Sequence, residues 1–181
     1  MNFYSNFFLK IIILISILIG TSMKLNAKDN IILMELKDGL VKIKMRPDLA
    51  PNHVKRIKSL VKEGFYDGLL FHRVIENFMA QTGDPRGDGT GGSGKNLKAE
   101  FSKESHIRGT VSMARANDPN SADSQFFICF ADASFLDGKY TIWGQVIEGM
   151  EFIDLIKKGK GDSGMDFVGE PDKIISMKLK K

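Results

Sequence analysis

The chain has 181 residues, of which 43% are apolar and 27% charged, with a formal charge of +4 and one cysteine. That length suits one domain with one substantial core once any targeting segment is set aside. The lone Cys129 excludes an internal disulfide, and no basic stripe interleaved with aromatics points to a nucleic acid partner.

The first element in chain order is the segment from Met1 to Ala27. Lys10 precedes an apolar run from Ile11 to Ile19, small residues Gly20 to Ser22 follow, and a polar stretch ends in Leu25-Asn26-Ala27. This is the pattern of a secretory signal peptide. We place cleavage after Ala27, which gives a leader of residues 1–27 and a mature domain of residues 28–181. The apolar run is about half of the ~20 residues that span a bilayer. An uncleaved anchor is the alternative, and only it would bring a membrane in as a partner. The expected location is extracytoplasmic: a periplasm first, another secretory compartment or the medium second. Losing the leader removes Lys10 and Lys24 and no acid, so the charge falls to +2.

The mature chain opens with two strand-like runs, Ile31 to Lys37 and Leu40 to Arg46, joined by Asp38-Gly39, a strong hairpin signal. The second run alternates Val41, Ile43 and Met45 against Lys42, Lys44 and Arg46, as a half-buried strand does. Pro51 then suits the first turn of a helix. Val54, Ile57, Leu60 and Val61 repeat at helical spacing, and Gly64 ends the helix. Short strands follow at Leu70 to Ile75, Phe78 to Gln81, Val111 to Ala114, Phe126 to Phe130 and Thr141 to Ile147. Gly149 opens a second helix, with Met150, Ile153, Leu155 and Ile156 expected to be buried. A last strand runs from Lys173 to Leu179. Many short strands with two helices predict an antiparallel barrel or sandwich capped by helices. The glycine-rich loop from Gly83 to Asn96 has strands on both sides, which favours a functional loop over a linker.

Several local patterns carry little. Gly89 to Lys95 nearly spells a phosphate-binding loop, but Asn96 stands where magnesium binding needs Ser or Thr, and no buried strand precedes it. Arg86-Gly87-Asp88 is an adhesion-like tripeptide of the kind chance gives in such a loop. His53, His72 and His106 do not pair at metal-ligand spacing, so no metal and no cofactor are expected. Residue types alone leave Ser/His/Asp catalysis open, although no nucleophile elbow appears. Cys129, in an apolar run, reads as a small buried core residue.

The blocks Phe71-His72-Arg73-Val74-Ile75, Phe78-Met79-Ala80-Gln81-Thr82-Gly83-Asp84 and Gly89-Thr90-Gly91-Gly92 resemble the signature of the cyclophilin-type peptidyl-prolyl cis/trans isomerases. So do Ser112-Met113-Ala114-Arg115-Ala116, Ser124-Gln125-Phe126-Phe127-Ile128, Phe135-Leu136-Asp137-Gly138-Lys139 and Trp143-Gly144-Gln145-Val146, all in the expected order. The match spans roughly residues 31–180. The resemblance implies a mainly β fold: a closed eight-stranded antiparallel barrel with a helix over each end and a peptide groove outside. It implies that Arg73 is the main catalytic group. Phe78, Met79, Phe127 and Leu136 match the pocket that seats the substrate proline. Gln81 and Gln125 match groove residues that bond the peptide, and Gly89, Ala114, Arg115 and Ala116 match its walls. Phe135, Tyr140 and Arg115 stand where many relatives have tryptophan, histidine and asparagine, so cyclosporin binding is expected to be weak. The implied partners are proline-containing polypeptides, unfolded or exported, and a monomer is expected.

These residue types suit the reaction. The X–Pro amide isomerises over a barrier of roughly 18–20 kcal/mol because it has partial double-bond character. The twisted transition state has lost that resonance and carries a lone pair on nitrogen. An always-charged, planar guanidinium can meet it, with an interaction that grows as the amide twists. Phe126 and Ile128 are expected to point inward, opposite Phe127. His72, expected to face away from Arg73, is read as structural. Two other readings stay open: a binding module that holds proline segments without turnover, and a membrane-tethered scaffold.

Overall fold

The computed structural model describes residues 30–181, so the expected leader of residues 1–27 lies outside them. Strands β1 (Ile31–Leu36) and β2 (Gly39–Met45) form the expected hairpin, with Leu36 opposite Gly39. Helix α1 (Pro51–Lys62) follows and buries His53, Val54, Ile57, Leu60 and Val61. Each buried aliphatic side chain there contributes roughly 1.5–3 kcal/mol. Strands β3 (Arg73–Ile75), β4 (Met79–Thr82), β5 (Thr110–Met113), β6 (Phe126–Cys129) and β7 (Ile142–Glu148) come next, then helix α2 (Met150–Asp154) and β8 (Ser176–Leu179).

The strands form one sheet of eight in the order β3-β4-β6-β5-β7-β2-β1-β8, and every pairing is antiparallel. Bulges between Lys42 and Ile43 and between Val111 and Ser112 help curl it. The main core fills the concave side. Trp143, Phe126 and Tyr66 pack edge to face at 5.3 and 5.5 Å, and the Tyr66 hydroxyl donates to the Ser124 carbonyl.

The sheet is curled but open, which corrects the expectation of a closed barrel: no ladder joins β3 to β8. The reason is that the free edge of β3 is already taken. Val74 donates to the Gly164 carbonyl at 2.8 Å and accepts from Gly159 N–H at 3.0 Å, so the loop from 159 to 164 covers that edge. Gly164 sits at φ +65°, and a Cβ there would come within 2.7 Å of the Val74 carbonyl oxygen, so only glycine permits this approach. Just before the two strands, Leu70 pairs with Lys173 in an isolated bridge that does not extend into a ladder. The last strand starts at Ser176, later than the sequence pattern suggested. Leu155, expected to be buried, lies one residue beyond the short α2 and is exposed, while Ile153 and Ile156 are buried.

Candidate active site

The register of three adjacent strands builds the site. Arg73 on β3 lies opposite Gln81 on β4, and Gln81 lies opposite Phe127 on β6. Side chains one position along each strand, Val74, Ala80 and Ile128, belong to the main core. Arg73, Gln81 and Phe127 therefore share the outer, convex face, as strand alternation requires. The next outward row brings Ile75, Met79 and Cys129 together.

On this face a second apolar cluster stands apart from the main core. It contains Met79, Phe127, Cys129, Ala133 and Leu136, with Ile75, Phe78, Ala114 and Tyr140 packed against it. Phe126 and Ile128 point into the main core, as their alternation with Phe127 predicts. Leu136 is delivered by a 3₁₀ turn, Ser134–Leu136. Phe135 on the same turn is 61% exposed and leans on Phe78 at 5.4 Å, so it forms the rim of this seat rather than its floor. Tyr140 meets Phe127 edge to face at 5.9 Å, and the Arg115 guanidinium lies 4.6 Å over the Tyr140 ring. Three more hydrogen-bond acceptors lock Arg115 in place: the carbonyls of Lys139, Ala116 and Asn117.

A polar chain runs beside the apolar seat. Arg73 Nη1 donates to Gln81 Oε1 at 3.3 Å, and Gln81 Nε2 donates to Gln125 Oε1 at 2.9 Å. Gln125 Nε2 then donates to the carbonyls of Gly89 and Gly91 at 3.0 and 2.8 Å. Arg73 Nε donates to the Ser163 carbonyl at 3.1 Å, so the loop that covers β3 also orients the guanidinium. Burial holds the Arg73 guanidinium below its ordinary pKa, which marks it as a half-desolvated cation. Gln81, Gln125, Gly89, Ala114, Arg115 and Ala116 line a cavity of about 300 Å³ next to the seat. All thirteen residues singled out from the sequence thus lie on one continuous outer surface.

The glycine-rich loop is fixed from below. Asp84 is buried and accepts from Arg86 N–H and Gly89 N–H, while Asp123 accepts from Gly94 N–H and Lys95 N–H. These four backbone donors of the loop are spent on carboxylates. His72 is buried beneath it, near Gly89, and burial pushes its pKa down. Among the described residues no group of three or more His, Cys, Asp or Glu side chains is placed to hold a metal ion.

Three parts of the site carry no clear sequence signal. Ser163 contributes a backbone carbonyl, which any residue type supplies. Cys129 is buried as expected, but in the outer cluster under the seat rather than in the main core. Burial pushes its thiol up to about 12, so it is inert at neutral pH. Ala133, also in the seat, looks like any small residue.

Comparison with known proteins gives a consistent picture. Residues 31–179 match the family model described as cyclophilin type peptidyl-prolyl cis-trans isomerase/CLD. A probable peptidyl-prolyl cis-trans isomerase of Brucella suis is 51% identical over 176 residues, covering 89% of each chain. The crystal structure of a Hirschia baltica cyclophilin has a TM-score of 0.74 at 29% identity, covering 84% of this chain and 74% of that one. A Cryptosporidium parvum cyclophilin type peptidyl-prolyl cis-trans isomerase, solved in the presence of the dipeptide Ala-Pro, has a TM-score of 0.74 at 28% identity. It is covered over 83% of this chain and 99% of that one.

Proposed function

This chain belongs to the cyclophilin-type peptidyl-prolyl cis-trans isomerases and is an isomerase of X–Pro bonds, and we propose that Arg73 drives its reaction by meeting the prolyl nitrogen as the amide twists. The observation that carries this reading is the row of Arg73, Gln81 and Phe127 across β3, β4 and β6, which puts one cation beside one apolar seat. Phe78, Met79, Phe127 and Leu136 hold the proline ring while the preceding carbonyl rotates, so the rotating bond is fixed at one end. The Arg73 fork is steered by Ser163 and Gln81, which leaves its other N–H groups to follow the nitrogen lone pair. Its interaction is stronger in the twisted state than in the planar one, and that difference is what lowers the barrier. No proton is transferred and no covalent bond forms. Gln81, Gln125 and the walls Gly89, Ala114, Arg115 and Ala116 take the peptide on either side of the proline.

The substrates are proline-containing polypeptides. The Cryptosporidium relative solved with Ala-Pro supports that class. We assign the protein to the folding of exported chains, on the strength of the leader pattern in residues 1–27, with the periplasm as its compartment. The test is direct. Purified protein should speed the cis-to-trans step of a proline-switch peptide, and N-terminal sequencing of the native protein should start near Lys28. A protein that binds the peptide without speeding its isomerisation would leave a binding module. Met1 on a membrane-bound mature chain would rule out cleavage.

A further inference from the structure

A buried imidazole behind the seat has no part in the reaction above. His106 Nδ1 lies 3.0 Å from Asp137 Oδ1, and its Nε2 lies 3.1 Å from Ser112 Oγ. These are the spacings of a Ser-His-Asp nucleophilic triad. The serine cannot serve as a nucleophile, because Ser112 is completely buried and its hydroxyl donates to the Thr141 carbonyl at 3.0 Å.

What the trio does touch is the proline seat. The His106 ring stacks on Phe127, with centroids 6.2 Å apart and planes 17° apart. Ser112 is the register partner of Phe127 on β5. Asp137 directly follows Leu136 at the end of the 3₁₀ turn, and its Oδ1 also accepts the His106 backbone N–H at 2.7 Å. The His106 carbonyl accepts from Ala133 N–H at 2.7 Å, at the start of the same turn. One residue is therefore bonded at both ends of the turn that carries Leu136 and stacked on the ring that faces it. Asp137 is held below the usual carboxylate range, first by the His106 backbone N–H and then by its ring. As a carboxylate it only accepts, so Nδ1 carries a proton and the imidazole plane is fixed.

We propose that His106 is a positioning residue for the isomerisation, setting the gap between Phe127 and Leu136 so that the proline ring stays pinned while the amide rotates. It acts through Phe127 and Asp137 and does not reach the substrate. The inference rests on the reading of Phe127 and Leu136 as walls of the seat. Loosening a wall leaves ground-state contacts largely available but spoils alignment in the twisted state, where small misplacements cost rate.

The test compares wild type with His106→Phe, which keeps a flat ring but loses both polar contacts, and with Asp137→Asn, which weakens the turn's anchor. Each protein is measured for turnover of a proline-switch peptide, for peptide affinity by separate titration, for thermal midpoint, and for the line shape of a labelled Phe127 ring by NMR. In His106→Phe, turnover should fall about tenfold with affinity changed less than about twofold, and the Phe127 signal should broaden or split. Asp137→Asn should show the same split, less strongly. If His106→Phe does not fold, Asp137→Asn decides by the same readouts. An unchanged Phe127 signal with wild-type turnover overturns the proposal, as does a parallel loss of turnover, affinity and thermal midpoint. The line shape needs no turnover, so an inactive wild type would refute the seat and leave the positioning of Phe127 separately measurable.

Discussion

Replacing Gln81 by methionine should separate the orientation of Arg73 from the binding of peptide. Gln81 accepts from Arg73 at 3.3 Å and donates to Gln125 at 2.9 Å, so it links the cation to the glycine-rich loop. Methionine keeps the length of the side chain and removes both bonds. A hydrogen bond to a charged donor contributes about 1.5–3 kcal/mol. This one is long, and Arg73 is only half buried, so water recovers part of it. About 1 kcal/mol should remain, which is roughly a fivefold loss in turnover. Gln125 keeps its bonds to Gly89 and Gly91 and Arg73 keeps Ser163, so the thermal midpoint should hardly move. The assay is proline-switch kinetics beside a separate peptide titration. If affinity falls while turnover at saturating peptide holds, Gln81 serves only as a peptide contact. That result would refute its role in aiming Arg73.

Other perturbations follow from the same geometry. Helix α1 has no side-chain cap of its own at Ala50; Glu100 supplies it from a distance, accepting from the N–H groups of Asn52 and His53, from Asn52 Nδ2, and from His53 Nδ1 at 2.6 Å. Glu100→Ala should cost about 1 kcal/mol for the cap and about 1–3 kcal/mol for the stranded, fully buried His53, or roughly 5–15 °C in midpoint by differential scanning. Burial raises the Glu100 pKa, but the bonds from His53 and Asn52 outweigh it and hold it below the usual range. Its contribution is thus present above the unfolded value of about 4.3–4.5 and lost as pH falls through the lower folded value, so wild type and Glu100→Gln should converge in stability only once the pH has fallen below that folded value. Phe135→Trp should tighten cyclosporin binding up to about tenfold by titration, because an indole N–H adds a donor on a rim that phenylalanine leaves without one; no gain would mean that the indole is not the missing contact.

Much of the fold could be read from local pattern because the signals are short-range. Asp38-Gly39 signals the β1–β2 hairpin, although the connecting residues are Lys37 and Asp38 and Gly39 already pairs with Leu36, and helical spacing from Val54 to Val61 dictates the buried face of α1. Phe127 could be separated from Phe126 and Ile128 by alternation alone. The candidate site was found through a resemblance carried by blocks from Phe71 to Val146, and the folded chain gathers the site residues of those blocks on one face while Val74, Ala80, Phe126 and Ile128 turn into the main core. What stayed hidden depends on partners distant in sequence. The loop from 159 to 164 occupies the edge of β3 and keeps the sheet open, and nothing periodic in Gly159 to Gly164 announces it. Glu100 caps a helix that starts at Pro51, and a capping pattern searched for beside the helix finds nothing. Ser112 and Asp137 lie in separate blocks and His106 in none, and their meeting is a product of the β5–β6 register and the 3₁₀ turn. Leu155 fits the apolar spacing of α2, but α2 stops at Asp154 and leaves it in solvent.

The central claim is that Arg73 stabilises the twisted amide, and the measurement that tests it most directly is proline-switch turnover of Arg73→Ala beside an independent peptide affinity. A preorganised donor lost from a water-poor site is worth about 2.7–4 kcal/mol, so turnover should fall roughly a hundredfold or more while affinity changes by a few-fold. Arg73→Lys should recover only part of the loss, because it restores the charge without the planar fork. An Arg73→Ala protein that is folded, binds peptide and turns it over at a near-normal rate would contradict the account.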